Sequence, residues 1–435
     1  MRFQLIALLT LLISFTSPAS AVPPIQQAEL DNGLRILLME AHNVPMVSIT
    51  LAMPAGSRFD AERKGGTATL LASMLTDHTA KHPHEAWADL LDADAIQLSG
   101  SVGRDEMNIS LTVLKDALQP GLNAFAEALL HPGWSKKRFA LKQQTALAAA
   151  QKGQEEPGVQ AAEAAARLLF ANHPYGHRSS GSLTSLKAIH LADLKQLYAA
   201  QIKPEGAVLA VSGDITMAEL KPLLEKQLSS WKGKPERGVN DIAAPEAIRN
   251  GKADVTLPTS QTQLQLLRLG PSRSDPEFFP IFVLNHLLGG GGFGSRLMEE
   301  VREKRGLVYG VYSYFSPLAT NGPFVISLST RADQADEAEA VVRSVLAEMA
   351  AGNITKQQLI ESRENLTGSF AQRMDSNRER VALIAMIGLY DLPLDYLSVW
   401  TQRINAVTLQ QLREQAAAYL NPEQWNRVRV GSNLK

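Results

Sequence analysis

The strongest constraint on the fold of this chain is an internal repeat that relates its two halves. Three residues of the first half recur 218 positions later: Leu194 as Leu412, Pro204 as Pro422 and Gly213 as Gly431. In each copy a helical pattern precedes the proline, and a short apolar strand pattern then ends at the glycine. Because self-similarity at a fixed distance is the signature of repeated structural units, we expect two copies of one domain.

A second pair of matching segments lies earlier in each half. Residues 107–113 and 324–330 both have a strand pattern, and each is followed by two helical patterns with a Pro or Gly turn between them. Strands and helices come in runs and not in strict alternation, which favours an α+β fold with a largely antiparallel sheet packed by helices. We predict homologous domains of about 200 residues, at 22–231 and 255–435, with a Pro-, Gly- and Lys-rich linker at 232–254.

The first 21 residues have the pattern of a secretory signal peptide. Arg2 precedes an apolar run at 5–15, and Ala19-Ser20-Ala21 provides a small-residue cleavage site. The run is too short to span a bilayer, and an uncleaved N-terminal anchor is the alternative. No later stretch is long enough to span. We therefore predict a mature chain in the periplasm that begins at Val22 and has no membrane association after cleavage.

Composition narrows the function further. The 43 basic and 44 acidic residues give a net charge of −1, which provides no basic field for nucleic acid. The chain has no cysteine, and this excludes disulfides, thiolate metal sites and a cysteine nucleophile. An exported chain without cysteines needs no oxidative folding, which fits the periplasm.

Several segments together suggest a family. Asn32-Gly33 predicts a hairpin turn, strand patterns follow at 34–38 and 46–51, and a helical pattern runs from about Gly66 to Leu75. The most specific segments are the following: LGGGGFGSRL at 288–297, EVREKRGLVY at 300–309 and HPYG at 173–176. Over nearly all of its predicted mature length the chain resembles the insulinase and mitochondrial-processing-peptidase zinc proteases, also called the pitrilysin or M16 superfamily.

The resemblance implies a zinc site that this chain has lost. Active members carry the motif HxxEH on a first-domain helix and a third ligand, a Glu, on a later helix. Two His at i and i+4 reach one zinc ion from one helical face, and the Glu activates the bound water. The same positions here hold Thr69, Ala72 and Ser73, and the third ligand position holds Ala149. We therefore expect no metal and no other cofactor in this chain.

The second half keeps two residues to which the resemblance assigns a function. Active members use an Arg and a Tyr, seven residues apart, to hold the substrate backbone and stabilise the oxyanion; Arg302 and Tyr309 match them. We expect Arg302 late in a helix from Ser295 that ends at Gly306, and Tyr309 on a strand at 307–315. The alternative is that Arg302 is a surface charge and Tyr309 a packed aromatic residue.

A glycine run precedes this pair. It consists of Gly289, Gly290, Gly291 and Gly292. In the resembled family a glycine-rich stretch here approaches the substrate or a neighbouring chain, so we predict substrate binding. A phosphate-binding loop is disfavoured because the GxxxxGK[ST] pattern is missing.

One other cluster offers metal-ligating side chains. His78, His82 and His84 lie close to Asp77 and Glu85. Pro83 and the polar neighbours predict a solvated loop, where i,i+4 spacing has little meaning. A weak metal site is the alternative.

These observations lead to one functional hypothesis and one alternative. The resemblance implies the non-metal-binding subunit of a periplasmic heterodimeric zinc peptidase, inactive alone. Its partner would be an HxxEH-bearing homologue that holds the zinc, and its substrate a peptide or unfolded protein. The alternative is a non-catalytic peptide-binding or scaffold protein of the same fold, as a homodimer or as a core subunit of a larger complex.

Overall fold

The computed structural model describes residues 22–432. The predicted signal peptide at 1–21 lies outside the described residues. Within them, eleven strands form two sheets, each packed by helices. No helix in this part of the chain has the length and apolar character needed to cross a membrane.

The first sheet has six strands in the order β1-β2-β6-β3-β5-β4. Their bounds are β1 Gln26–Glu29, β2 Arg35–Glu40, β3 Met46–Met53, β4 Gln97–Val102, β5 Met107–Leu114 and β6 Val208–Gly213. All neighbours are antiparallel except β2 and β6. The predicted Asn32-Gly33 turn connects β1 to β2, with Gly33 at a φ of 83°.

The second sheet repeats this arrangement without a counterpart of β1. Its order is β7-β11-β8-β10-β9, and only β7 and β11 are parallel. The strand bounds are β7 Lys252–Thr256, β8 Gln261–Leu269, β9 Val308–Phe315, β10 Pro323–Arg331 and β11 Asn426–Gly431. The predicted α+β class with two largely antiparallel sheets is therefore confirmed.

The helices divide between the two halves. The first half contains α1 Thr67–Leu75, α2 His84–Ala93, α3 Leu118–Leu130, α4 Lys136–Gly153, α5 Pro157–Phe170, α6 Leu183–Ala188, α7 Leu191–Gln201 and α8 Met217–Leu228. The second half contains α9 Phe278–Asn285, α10 Ala335–Ala350, α11 Lys356–Gly368, α12 Asn377–Leu389, α13 Trp400–Ala406 and α14 Leu409–Tyr419.

The repeat seen in the sequence is exact in these elements. Helices α7 and α14 begin and end 218 residues apart, and so do strands β6 and β11. Gly213, at the end of β6, explains why glycine recurs there. Its φ is 151°, and a Cβ atom at this position would lie 2.2 Å from the Met46 carbonyl oxygen.

The two halves exchange helices across their boundary. Helix α5 of the first half packs on β7, β8 and β11 of the second sheet, and α12 of the second half packs on β2, β3 and β6 of the first. In α12, Ile384 and Ile387 are fully buried. Burial of each is worth about 1.5–3 kcal/mol. Gly388 lies so close to Val208 and Leu37 that a Cβ atom would collide with both. Residues of both halves therefore form a shared core cluster, and the first half has a further core of its own.

The predicted linker differs from the structure in two respects. Its last three residues belong to β7, which begins at Lys252. The preceding stretch is not a free tether, because it is bound along the surface of the first half. The Arg58 guanidinium donates to the carbonyls of Gly238 and Val239, and His173 lies 2.9 Å from the Ala243 carbonyl.

Candidate functional site

Helix α1 presents no metal ligand where the resemblance places the zinc motif. Thr69 donates its hydroxyl to the Ser179 carbonyl at 2.6 Å, and Ser73 donates to Leu70 within the helix at 2.9 Å. Ala72 is buried against Gly100 of β4, where a Cβ atom would lie 2.7 Å from the Ala72 carbonyl oxygen. Packing and hydrogen bonds therefore occupy the face of α1 on which the zinc ligands would lie.

The position of the third ligand is equally unsuited to zinc. Ala149 lies on α4 and its methyl group is exposed. Across residues 22–432, no group of three or more His, Cys, Asp or Glu side chains is arranged to hold a metal ion. Because zinc requires imidazole, thiolate or carboxylate donors, the hydroxyl and methyl groups at these four positions do not fit the ion.

The predicted loop around His78 is present at 76–83, but its first residues are not solvated. Asp77 and His78 are buried, and His84 is the first residue of α2. Asp77 accepts bonds of 2.7 and 2.5 Å from Arg138 and lies 2.9 Å from the Lys142 amine. Although burial alone would raise the pKa of Asp77, these two cations of α4 hold it well below its usual value. The Asp77 ion pairs form a network that joins the turn after α1 to α4.

Arg302 lies on a helical segment with an unusual hydrogen-bond pattern. A helix from Ser295 was predicted, but Met298–Glu303 forms a π-helix, in which each N–H bonds to the fifth preceding carbonyl. The segment ends before Gly306, whose φ of 64° suits a residue that terminates a helix. The Arg302 guanidinium lies 4.8 Å from the ring centroid of Phe293. A cation–π contact therefore positions it.

Tyr309 is presented by a β-bulge on strand β9. Val308 pairs with Thr330 and Val311 with Leu328, so Tyr309 and Gly310 together lie opposite a single residue. The extra residue lets both valines face the core although they are three positions apart. Tyr309 consequently points outward and is 91% exposed.

The glycine run lies against the outer edge of β9. A Cβ atom on Gly289 would lie 2.6 Å from the Ser313 nitrogen, so only glycine permits this approach. Met298 adds its sulfur atom, 3.5 Å from the Val311 amide. The glycines and the π-helix therefore cover an edge strand that would otherwise expose unpaired backbone groups. Gly292, with a φ of 61°, has open space around it.

A small cavity lies beneath this run. It has a volume of about 220 Å³ and is bordered by His286, Gly291 and Arg296. The ring nitrogens of His286 lie 2.8 Å from the Ser362 hydroxyl and 3.1 Å from the Asn365 amide oxygen. Burial lowers the pKa of His286. It is held as a neutral ring between the π-helical turn at 286–290 and α11.

An acidic pair at the boundary of the two halves, Asp105 and Glu106, had no signal in the sequence. Asp105 is fully buried and accepts bonds from Tyr175 at 2.5 Å, Tyr390 at 3.0 Å and the Ala319 amide at 2.8 Å. Burial, with the Asp105 carboxylate as the second cause, raises the pKa of neighbouring Glu106 to about 7. The bonds from Tyr390 and Ala319 tie the second half to the first.

The fold and this site define a two-domain chain of the zinc-peptidase type that lacks the zinc ligands. Comparisons with known proteins agree. A family profile described as Insulinase (Peptidase family M16) matches residues 35–179, and one described as Peptidase M16 inactive domain matches residues 188–366. The chain belongs to the M16, or insulinase, family.

Individual relatives support this assignment. A crystal structure described as a peptidase M16 inactive domain from Pseudomonas fluorescens is 31% identical, with a TM-score of 0.89 over 94% of this chain and 98% of that one. A protein named non-peptidase homolog YmxG from Helicobacter pylori is 25% identical over 95% of this chain and 94% of its own length. A protein named uncharacterized zinc protease YmxG from Bacillus subtilis is 24% identical over 82% and 86%. The chain is thus an inactive M16-type homologue.

Proposed function

We propose that this chain is the non-metal-binding subunit of a heterodimeric M16-type zinc peptidase in the periplasm. The partner is an HxxEH-bearing homologue that holds the zinc. This chain supplies Arg302 and Tyr309 to the partner's site, where they hold the substrate backbone and stabilise the oxyanion. The substrate is a peptide or an unfolded protein segment.

The observation that carries the proposal is the contrast between α1 and β9. Helix α1 has no donor for zinc, whereas the bulge in β9 presents Tyr309 with 91% of its surface exposed. An exposed tyrosine on a strand has no packing role to explain it. Preorganised donors aimed at a developing oxyanion are the largest single contribution in many hydrolases. The bulge directs the Tyr309 side chain away from the core, where a partner's site could use its hydroxyl.

The decisive experiment mixes the purified chain with the HxxEH homologue from the same genome. Peptide cleavage should require both chains. Tyr309→Phe removes one hydroxyl donor and should lower kcat by about 10²–10³-fold. Arg302→Ala should also raise KM, because it removes a contact that substrate and transition state share.

Tyr312 provides a matched control on the same strand. It is 52% exposed, and Tyr312→Phe makes the same chemical change three residues away. This variant should retain wild-type activity, and thermal melts should show equal folding of all three variants. If the Tyr309→Phe and Arg302→Ala complexes cleave at the wild-type rate, the chain acts only as a scaffold. Self-association without the homologue would support the same alternative.

A further inference from the structure

An arginine-rich cleft opens beside the N-terminus of α1. Its volume is about 600 Å³, and five arginines line it: Arg58, Arg63, Arg167, Arg178 and Arg237. Three carboxylates also line it: Asp60, Glu62 and Glu163. Since the whole chain has a net charge of −1, this local excess of positive charge is a property of the cleft.

Three of the five arginines already have partners. The Arg58 guanidinium is buried, donates to two backbone carbonyls and lies 3.2 Å from Asp105. Arg63 and Arg167 each lie 3.5 Å from a neighbouring glutamate, which partly neutralises them. These three contribute little attraction for a ligand.

The other two have no anionic partner. Among residues 22–432, no carboxylate lies within 4.0 Å of the guanidinium of Arg178 or Arg237. Arg178 is half-buried, and charged side chains removed from water are normally paired. Arg237 lies over the Phe59 ring, 4.9 Å from its centroid, which restricts the orientation of its guanidinium.

The buried acidic residue of the cleft forms no ion pair with either arginine. The two Asp60 carboxylate oxygens accept the backbone N–H groups of Gly66 and Ala68, each at 2.7 Å. One of them also lies 3.4 Å from the His177 ring nitrogen. Asp60 is therefore held by groups other than the two arginines, which leaves two guanidinium groups in the cleft without an ion-pair partner.

The backbone around the cleft is strained at two positions. Arg63 has a φ of 61° and Ala171 a φ of 45°, in a region that residues other than glycine rarely adopt. Strain of this kind concentrates at ligand-binding sites.

We propose that this cleft binds the carboxylates of an acidic peptide segment, with Arg178 and Arg237 as the binding pair. The planar guanidinium fork matches a carboxylate in bidentate geometry. The volume accommodates several side chains, which favours a peptide over a single ion. The proposal deepens the proposed function by naming a substrate class, and rests on it for the peptide nature of the ligand.

The test is direct binding to the isolated chain, measured by fluorescence anisotropy with a labelled oligoglutamate peptide. A labelled oligolysine peptide of the same length is the charge control. Arg178→Gln and Arg237→Gln should each weaken binding by about tenfold, or about 1.4 kcal/mol, because each removes a charged hydrogen-bond donor to the peptide carboxylates. Arg331→Gln, at an exposed arginine paired with Asp333, should leave binding unchanged.

Three results would overturn the proposal. Affinity for oligoglutamate that neither substitution changes would place its binding elsewhere. Inorganic phosphate that competes as well as the peptide does would reduce the cleft to a simple anion site. If the variants fold poorly, the affinity of the wild-type chain for oligoglutamate can be measured at increasing salt concentrations. An affinity that does not fall with salt would exclude a charge-based site.

The outcomes separate this proposal from the proposed function. The binding assay contains no zinc and no partner chain, so failure there leaves the role of Tyr309 in the mixed complex untouched. Conversely, if Tyr309→Phe left the peptidase activity of the mixed complex unchanged, oligoglutamate binding to the isolated chain would be unaffected.

Discussion

The surroundings of Glu106 predict how the stability of the fold depends on pH. The side chain lies at the boundary between the two halves, next to the fully buried Asp105, and folds back against Gly103. Burial and the Asp105 charge raise its pKa from 4.5 to about 7. Arg273 opposes this shift but does not cancel it. The native state therefore resists ionisation of Glu106 near neutral pH.

Proton linkage gives the direction in which stability changes with pH. Below pH 4.5 Glu106 is protonated in both states and has no effect on the pH dependence. Between pH 4.5 and about 7 the unfolded chain loses its proton while the native state keeps it, so stability falls as pH rises. At 1.36 kcal/mol per pH unit, the loss is at most about 3 kcal/mol. Because the side chain is half-buried, solvent screening should reduce it to about 1–2 kcal/mol.

Glu106→Gln removes the titration and keeps the shape of the side chain. Relative to wild type, the variant should gain about 1–2 kcal/mol between acidic and mildly alkaline pH. Urea unfolding across that range measures the difference directly. Glu155→Gln, at an exposed position, is the control for an added amide and should show no pH-dependent gain. An equal effect of Glu106→Gln at every pH would refute the reasoning.

Three further predictions concern metal and packing. The purified chain, washed with chelator, should hold less than about one tenth of a zinc ion per molecule by elemental analysis, because the four motif positions lack donors; a tightly held equivalent would contradict this. Asp77→Asn should destabilise the fold by about 3 kcal/mol in urea melts, since its cationic partners lose a buried counter-charge, whereas exposed Asp89→Asn should not. Stability due to Asp77, whose pKa is depressed, should also fade as pH falls below about 4. Gly289→Ala should lower stability by about 1–3 kcal/mol through overpacking against Ser313, whereas Gly294→Ala, in open space, should show less than half that loss.

Much of the architecture was readable from the sequence because it rests on local patterns. The offset of 218 residues between Leu194 and Leu412 predicted a duplicated unit, and the structure has α7 and α14 at that separation. The Asn32-Gly33 turn was readable because the chemistry of a tight turn is local. The replacement of the zinc motif by Thr69 and its neighbours was also visible, since a missing ligand needs no structure to be recognised.

Other features depended on which segments meet in space. The exchange of α5 and α12 between the halves has no local signal, because a helical pattern does not reveal which of the two sheets the helix packs on. Asp77 looked like part of a solvated loop, but burial beside two cations of α4 made it the centre of an ion-pair network. Pairing and burial involve residues distant in sequence, and local pattern does not contain that information.

The same distinction between local pattern and tertiary contacts applies to the candidate site. The resemblance to M16 peptidases pointed to Arg302 and Tyr309 as a candidate pair, through their residue types and their spacing. The bulge that exposes Tyr309 depends on its pairing with β10, and the unpaired charges of Arg178 and Arg237 emerge only where four separate segments form one cleft. A sequence can specify which groups a chain possesses. Only the folded arrangement decides which of them remain free to act, because that depends on the neighbours each one acquires.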